Sequence, residues 1–235
     1  MKLARFLTII LSVMMVFTSI SVTLGFDWGF LWNQKLDKAK IASGLKEALQ
    51  IGTEKSVNQA GQVDGFYKNP AIKILLPDKI QKVEKILRQL GLGTQVDEFV
   101  LSLNRAAERA TPAAKEIFWS AIKEMAFDDV ITIFKGNNTA ATDYFEAKTR
   151  EKLKTAFTPV INQATDEVDA TRIYKKLALE INKIKFLKLE PVDIDEYVTT
   201  KTLDGLFHVL GEEETKIRQN PAARVTELLK QVFGQ

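Results

Sequence analysis

The fold of this chain is decided by residues 96–125, which read VDEFVLSLNRAAERATPAAKEIFWSAIKEM. The large apolar residues recur at intervals of three and four, first around Phe99 and Leu103 and then around Phe118 and Ile122. This spacing places each group on one side of an α-helix. Thr111-Pro112 divides the stretch, since a capping residue followed by proline is typical of the first turn of a new helix. The stretch therefore predicts two consecutive amphipathic helices.

The same helical spacing extends along the chain in both directions. It recurs in the segments 41–49, 80–90, 173–184, 203–210 and 225–232. Only IKILL, at residues 72–76, is suited to an extended conformation, and one short strand cannot build a sheet. We therefore predict an all-α, single-domain bundle of about eight amphipathic helices over residues 40–234, with one short strand or extended segment near 72–76.

The first 25 residues have the layout of a secretory signal. Lys2 and Arg5 form a basic start, residues 6–24 carry no charge, and the small residue Gly25 ends the run. Two interpretations stay open. Cleavage after Gly25 frees a soluble protein, whereas retention leaves a membrane anchor, because about 20 apolar residues can cross a bilayer.

An aromatic segment follows the signal, at residues 26–39. It begins FDWGFLW, and in an anchored protein Trp28 and Trp32 are expected to lie at the membrane interface. Both interpretations place the helical domain outside the cytoplasm. The expected location is thus periplasmic or secreted, or anchored to the inner membrane by an uncleaved signal segment.

Composition excludes several classes of protein. The chain has no cysteine, which rules out disulfides, a lipoprotein anchor, a thiol nucleophile and thiolate metal sites. Of the 33 basic and 30 acidic residues, only Lys2 and Arg5 belong to the signal, so 31 basic and 30 acidic residues remain, a net charge of +1. A nucleic-acid partner is therefore not expected, since such domains are usually strongly basic.

Several phrases along the chain resemble a known family. In order they are GLKEAL at 44–49, DGFYKNPAIKILLP at 64–77, NRAAERATPAAKEIF at 104–118, AATDYFEAKT at 140–149, LDGLF at 203–207 and IRQNPAARVTELLKQVFG at 217–234. Together they resemble the bacterial family called domain of unknown function 4197, over roughly residues 40 to 234. The resemblance implies a helical, exported protein, and it brings no activity and no catalytic residue.

Motifs for catalysis and for cofactors are sparse. His208 is the only histidine, and the sequence has neither a G-x-S-x-G elbow nor a P-loop. Carboxylates cluster at 128–129, 193–196 and 212–214 without the glycine-containing loop of a calcium site. Asp193 and Asp195 lie where a break in the pattern gives way to a helix, so we expect them to cap that helix and to neutralise its dipole. The sequence thus predicts no catalytic residue, no metal and no cofactor.

The polar residues of NRAAERA are the most informative candidates for a site. Asn104, Arg105 and Glu108 lie within one helical turn of each other, beside small alanines that allow close packing. One interpretation is a pocket in which these residues and Lys73 bind an anionic or carbonyl-bearing ligand. The other, which we favour, is an internal salt-bridge network that fixes the helices. By their chemistry, the candidate partners in such a network are Asp64, Asp128 and Asp143.

These observations favour a protein that binds and does not catalyse. We expect an exported bacterial envelope protein that binds an apolar, lipid-like or anionic ligand, or another envelope protein, with membrane contact through its N-terminus. One alternative is a hydrolase based on Asp or Glu, with Asn104 and Arg105 as electrostatic helpers. A second alternative is a purely structural scaffold.

Overall fold

A computed structural model describes residues 38–167, 170–183 and 191–223, together with Lys230. The predicted signal peptide at 1–25, the interface residues Trp28 and Trp32, and the apolar stripe at 225–232 lie outside these residues.

The described residues form nine α-helices and no strand. The helices are α1 Lys38–Gly61, α2 Asp78–Gln81, α3 Glu84–Gln89, α4 Gly93–Ala110, α5 Ala114–Glu124, α6 Phe127–Lys135, α7 Ala140–Glu167, α8 Ala170–Asn182 and α9 Ile194–Gln219, with 3-10 turns at Thr111–Ala113 and Pro221–Ala223. The predicted all-α class is confirmed. Of the two alternatives for IKILL, the strand does not form, and residues 73–77 have no regular secondary structure.

The stretch at 96–125 forms α4 and α5, as its spacing predicts. Phe99, Leu103, Phe118 and Ile122 are all buried. Helix α7 runs through the middle of the bundle and packs against α9, α4 and α5. The centre of the core is aromatic: the Phe118 ring lies 5.7 Å from that of Phe145 on α7 and 6.0 Å from that of Phe207 on α9, measured between ring centroids.

Helix ends follow the local sequence in two places. Gly91 has a φ of 80°, which glycine adopts without strain, and the Leu92 N–H donates to the Leu87 carbonyl at 3.0 Å. This arrangement ends α3. At the start of α9, the Asp193 carboxylate accepts a hydrogen bond from the Glu196 N–H at 3.0 Å, so the predicted capping role of Asp193 is confirmed.

A buried ion pair on α9 joins α6 to α7. Glu214 accepts hydrogen bonds from the N–H groups of Ala141 and Thr142, at 3.0 and 2.9 Å, in the first turn of α7. Arg218 pairs with Glu214 at 2.8 Å and donates to the Ile133 carbonyl near the end of α6. The negative carboxylate lies at the positive, N-terminal end of the α7 dipole, and the arginine lies at the negative, C-terminal end of the α6 dipole. The pair therefore stabilises both termini.

Two structural findings concern membranes and metals. Among the helices described above, none is both long enough and apolar enough to span a bilayer. No group of three or more histidine, aspartate or glutamate side chains that could hold a metal ion occurs within the described residues.

Candidate functional site: a polar groove beside residues 71–78

The IKILL segment leaves a turn at Ile72 and continues without helix or turn, and burial alternates along it. Ile72, Ile74 and Leu76 are buried, whereas Lys73 is half-buried and Leu75 is 50% exposed. Period-two alternation is the pattern of an extended chain, since successive side chains point to opposite sides. The segment therefore contributes three apolar side chains to the core and directs Lys73 and Leu75 outward.

Asn104 on α4 holds this segment in place. Its side chain is fully buried; Oδ1 accepts from the Ile74 N–H at 2.9 Å, and Nδ2 donates to the carbonyls of Ile74 and Val100 at 2.8 and 2.7 Å. The exchange of both bonds with one residue resembles a hydrogen-bonded pair of antiparallel strands. A side-chain amide thus occupies the position of a neighbouring strand and satisfies the backbone of Ile74 without a sheet.

Arg105, and Glu108 one turn further along α4, hold residues 64–67, which precede the extended segment in the chain. Glu108 accepts hydrogen bonds from the N–H groups of Phe66 and Tyr67, both at 3.1 Å, and pairs with Arg105. Arg105 also binds the Asp64 carboxylate at 2.7 Å. Hydrogen bonds from Lys68 and Arg105 lower the pKa of Asp64 below its usual range.

The structure therefore brings four of the candidate residues together: Asn104, Arg105, Glu108 and Asp64. These four residues form the α4 network, which joins α4 to residues 64–74. The polar atoms of Asn104 and Glu108 are engaged by protein groups. Asp128 and Asp143 lie in the first turns of α6 and α7, and neither pairs with Arg105 in the described part of the chain. Lys73 forms no salt bridge with these residues; its ammonium lies 4.1 Å from the centroid of the Tyr67 ring, which the Arg105 guanidinium also faces at 5.8 Å. The hydrogen bond from Arg88 is the main cause of a lowered pKa of Asp97, to which the positive charge of Lys73 also contributes.

A polar groove runs along the outer side of the extended segment. It has a volume of about 360 Å³ and lies between residues 71–78 and α9. Its charged and titratable lining residues are Lys73, Asp78, Tyr197, Lys201, Asp204 and His208. Arg150 binds the Asp204 carboxylate at 2.6 Å and also pairs with Glu146, so it offsets part of the Asp204 charge. Lys73 and Lys201 form no ion pair with any described residue.

Tyr197 connects the two walls of the groove. Its hydroxyl donates to the Leu75 carbonyl at 3.0 Å. Burial, together with the negative charge of Asp78, raises the pKa of Tyr197 to about 12. The phenol therefore stays neutral at physiological pH and keeps its role as a donor.

Sequence reasoning identified Lys73 but missed the α9 wall of the groove. Tyr197, Lys201, Asp204 and His208 follow one another at intervals of four, three and four, which places them on one face of a helix. This spacing is a signal that could have grouped them. No sequence pattern indicates that these residues face the extended segment, because that segment lies more than 100 residues earlier in the chain.

The family model described as "Protein of unknown function (DUF4197)" matches residues 35–234. The chain belongs to this family. The match includes both walls of the groove and the α4 network, and the resemblance drawn from the quoted phrases is confirmed. Searches of curated proteins and of solved structures gave no match.

Proposed function

We propose that the protein is an exported bacterial envelope protein that binds an anionic ligand in the groove beside residues 71–78, without catalysis. The observation that carries the proposal is the pair of lysines on opposite walls. Lys73 comes from the extended segment and Lys201 from α9, and neither is neutralised by an ion pair with a described residue. Asp78 is the one lining carboxylate without a cationic partner there, so the groove keeps an excess of positive charge.

The construction of the groove also supports binding. A ligand site needs walls that hold their shape, because ordering flexible walls reduces affinity. Asn104 fixes one wall through Ile74, and Tyr197 joins that wall to α9 through the Leu75 carbonyl. The α4 network thus has a positioning role behind the groove, and Lys73 is the candidate that faces the ligand.

A lipid-like ligand held between helices has less support. The apolar cavity between α1, α7 and α9 has a volume of about 20 Å³, enough for about one water molecule. An acyl chain would require the helices to separate. The polar groove is the larger of the two, and its lysines suit an anion.

The hydrolase alternative also has less support, because its candidate residues are already engaged by protein groups. Asn104 and Glu108 use their polar atoms on the backbone of residues 66–74, and Arg105 is held by two carboxylates. A general acid requires a raised pKa. The pKa of Asp64, the carboxylate nearest to Arg105 besides Glu108, is instead lowered.

Calorimetric titration of the full chain at low salt tests the proposal. The probes are succinate, glutamate and inorganic phosphate, and the variants are K73M and K201M. We expect at least one anion to bind, and each variant to weaken binding about tenfold, as expected for loss of a charge-assisted contact. The matched control is K152M, because Lys152 is exposed on α7 and does not line the groove.

Two results would contradict the proposal. One is the absence of binding by all three anions. The other is an equal loss of affinity in K152M, which would indicate a general charge effect. Recovery of the anion unchanged after incubation separates binding from turnover. Cell fractionation with N-terminal sequencing tests export: we expect the chain in the envelope fraction, and a cytosolic, unprocessed chain would refute it. An envelope-protein partner remains a second prediction, to be tested by cross-linking in that fraction.

A further inference from the structure

We propose that the anionic ligand is an extended acidic peptide, which lies as an added strand along residues 73–75. The inference rests on the proposed function of the groove and specifies its ligand. Three features carry it: an open backbone edge, the donor and acceptor pattern on that edge, and the charges around it.

The extended segment has one occupied edge and one partly open edge. In an extended chain, the N–H and C=O groups of successive residues point to opposite edges. Asn104 occupies the edge used by Ile74. The backbone groups of Lys73 and Leu75 therefore face the other edge, on the side of the groove.

Two of the four backbone groups on that edge are already used. The Lys73 N–H donates to the Asn69 carbonyl at 2.9 Å, and the Leu75 carbonyl accepts from Tyr197 at 3.0 Å. The Leu75 N–H and the Lys73 carbonyl have no hydrogen-bond partner among the described residues. One donor and one acceptor are thus open, and they belong to the two peptide units on either side of Ile74.

This pair of groups selects for a peptide. In parallel strands, one residue donates its N–H to the carbonyl before its neighbour and accepts from the N–H after it. A single residue of an added parallel strand can therefore bond to both Lys73 and Leu75. A carboxylate has only acceptors, so a small dicarboxylate can satisfy Leu75 but not Lys73. Addition of an extended peptide to an exposed edge is an established mode of recognition.

The charges around the edge favour acidic side chains on that peptide. Lys73 and Lys201 offer cations on both walls, and Asp204 is held by Arg150. The remaining titratable groups that line the groove are Asp78, His208 and Tyr197, and His208 lies 3.5 Å from Glu212. Leu75, at 50% exposed, offers an apolar contact between the charges.

The experiment compares two variants of Leu75, of which one keeps the backbone N–H and the other lacks it. L75A and L75P both remove the leucine side chain, but only proline removes the amide hydrogen. The residue before a proline is restricted to extended conformations, in line with the alternating burial on either side of Ile74. The probe is a capped hexapeptide of alternating aspartate and valine, titrated into the full chain at low salt. Its backbone N-methylated form and succinate are the comparison ligands.

We expect the peptide to bind at least about tenfold more tightly than succinate, to lose about tenfold in affinity from L75A to L75P, and to lose a similar factor on N-methylation. Circular dichroism checks that L75P folds like L75A, and the N-methylated peptide keeps the test independent of that variant. Two results would overturn the added strand while leaving an anion site. One is that the peptide binds L75A and L75P equally and that N-methylation does not change its affinity. The other is that succinate binds as tightly as the peptide. No binding by the peptide would overturn the peptide proposal, and no binding by succinate, glutamate or phosphate as well would overturn the anion site.

Discussion

Replacement of Asn104 by alanine tests the role of this side chain in the fold. The amide makes three hydrogen bonds at 2.7 to 2.9 Å, and two of them satisfy the N–H and the carbonyl of Ile74. Both groups are enclosed, since Ile74 is buried and Asn104 is 0% exposed. In N104A they lose their partners inside the protein, and each such group costs about 1 to 3 kcal/mol.

The expected loss in the free energy of unfolding is therefore about 2 to 6 kcal/mol, with a further contribution from the space that the amide leaves. The assay is urea unfolding followed by helical circular dichroism, together with hydrogen exchange at the Ile74 amide, which should accelerate in the variant. N162A is the matched control, because Asn162 is exposed on α7 and its side chain makes no hydrogen bond in the described region. Alanine has the higher helix propensity, so N162A should be neutral or slightly stabilising.

A loss below about 0.5 kcal/mol in N104A, the range of ordinary surface substitutions, would refute this reasoning. It would show that water or a rearranged backbone replaces the amide without difficulty. N104A should also weaken anion binding by the groove, because the extended wall loses its anchor.

Three further predictions concern packing, charge and pH. In G205A the new Cβ would lie 2.6 Å from a ring carbon of the buried Phe66, so we expect a loss of about 1 to 3 kcal/mol in urea unfolding. E214A removes the carboxylate that pairs with the largely buried Arg218 and caps α7, and breaking such a pair should cost about 3 to 5 kcal/mol in the same assay. The pKa of Asp64 is lowered in the folded protein, so its carboxylate contributes stability above about pH 4, and this stability is lost as pH falls through the folded-state pKa. D64N should therefore be less stable than the wild type at pH 7. The difference should shrink at pH 2 to 3.

The first two of these predictions have a control on the same kind of residue, and the third is checked by its pH dependence. G93A should be neutral, because its Cβ would meet only atoms at 3.6 Å or more. E212A should change stability little, since Glu212 is exposed on α9. Losses in G93A or E212A that equal those of the core variants would contradict the packing and ion-pair arguments. A D64N difference that stays constant from pH 7 to pH 2 would contradict the assignment of that carboxylate.

The helices could be predicted because their signal is local. Spacing at three and four residues determines which side of α4 and α5 is apolar, and Phe99 and Phe118 are buried as that spacing indicates. The stripe at 80–90 was less informative, since it fits one helix whereas the structure has α2 and α3, separated at Val83 by a φ of −109° and a ψ of 2°.

The site could be predicted only in part. The sequence placed Asn104, Arg105 and Glu108 on one turn and suggested Asp64 as a partner of the arginine, which the structure places at 2.7 Å. It could not show that the main partners are backbone groups of residues 66–74, because every residue carries such groups and none is marked by its side chain. The groove depends on the same long-range contact, so its α9 wall was missed.

The central claim is that the groove beside residues 71–78 binds an anion. Its most direct test is a titration of the isotope-labelled full chain with succinate, followed by backbone amide chemical shifts. We predict saturable shifts concentrated at residues 71–78 and 197–208, which require about tenfold more succinate in K201M and are unchanged in K152M. Shifts spread evenly over the surface, or centred on another part of the bundle, would contradict the account.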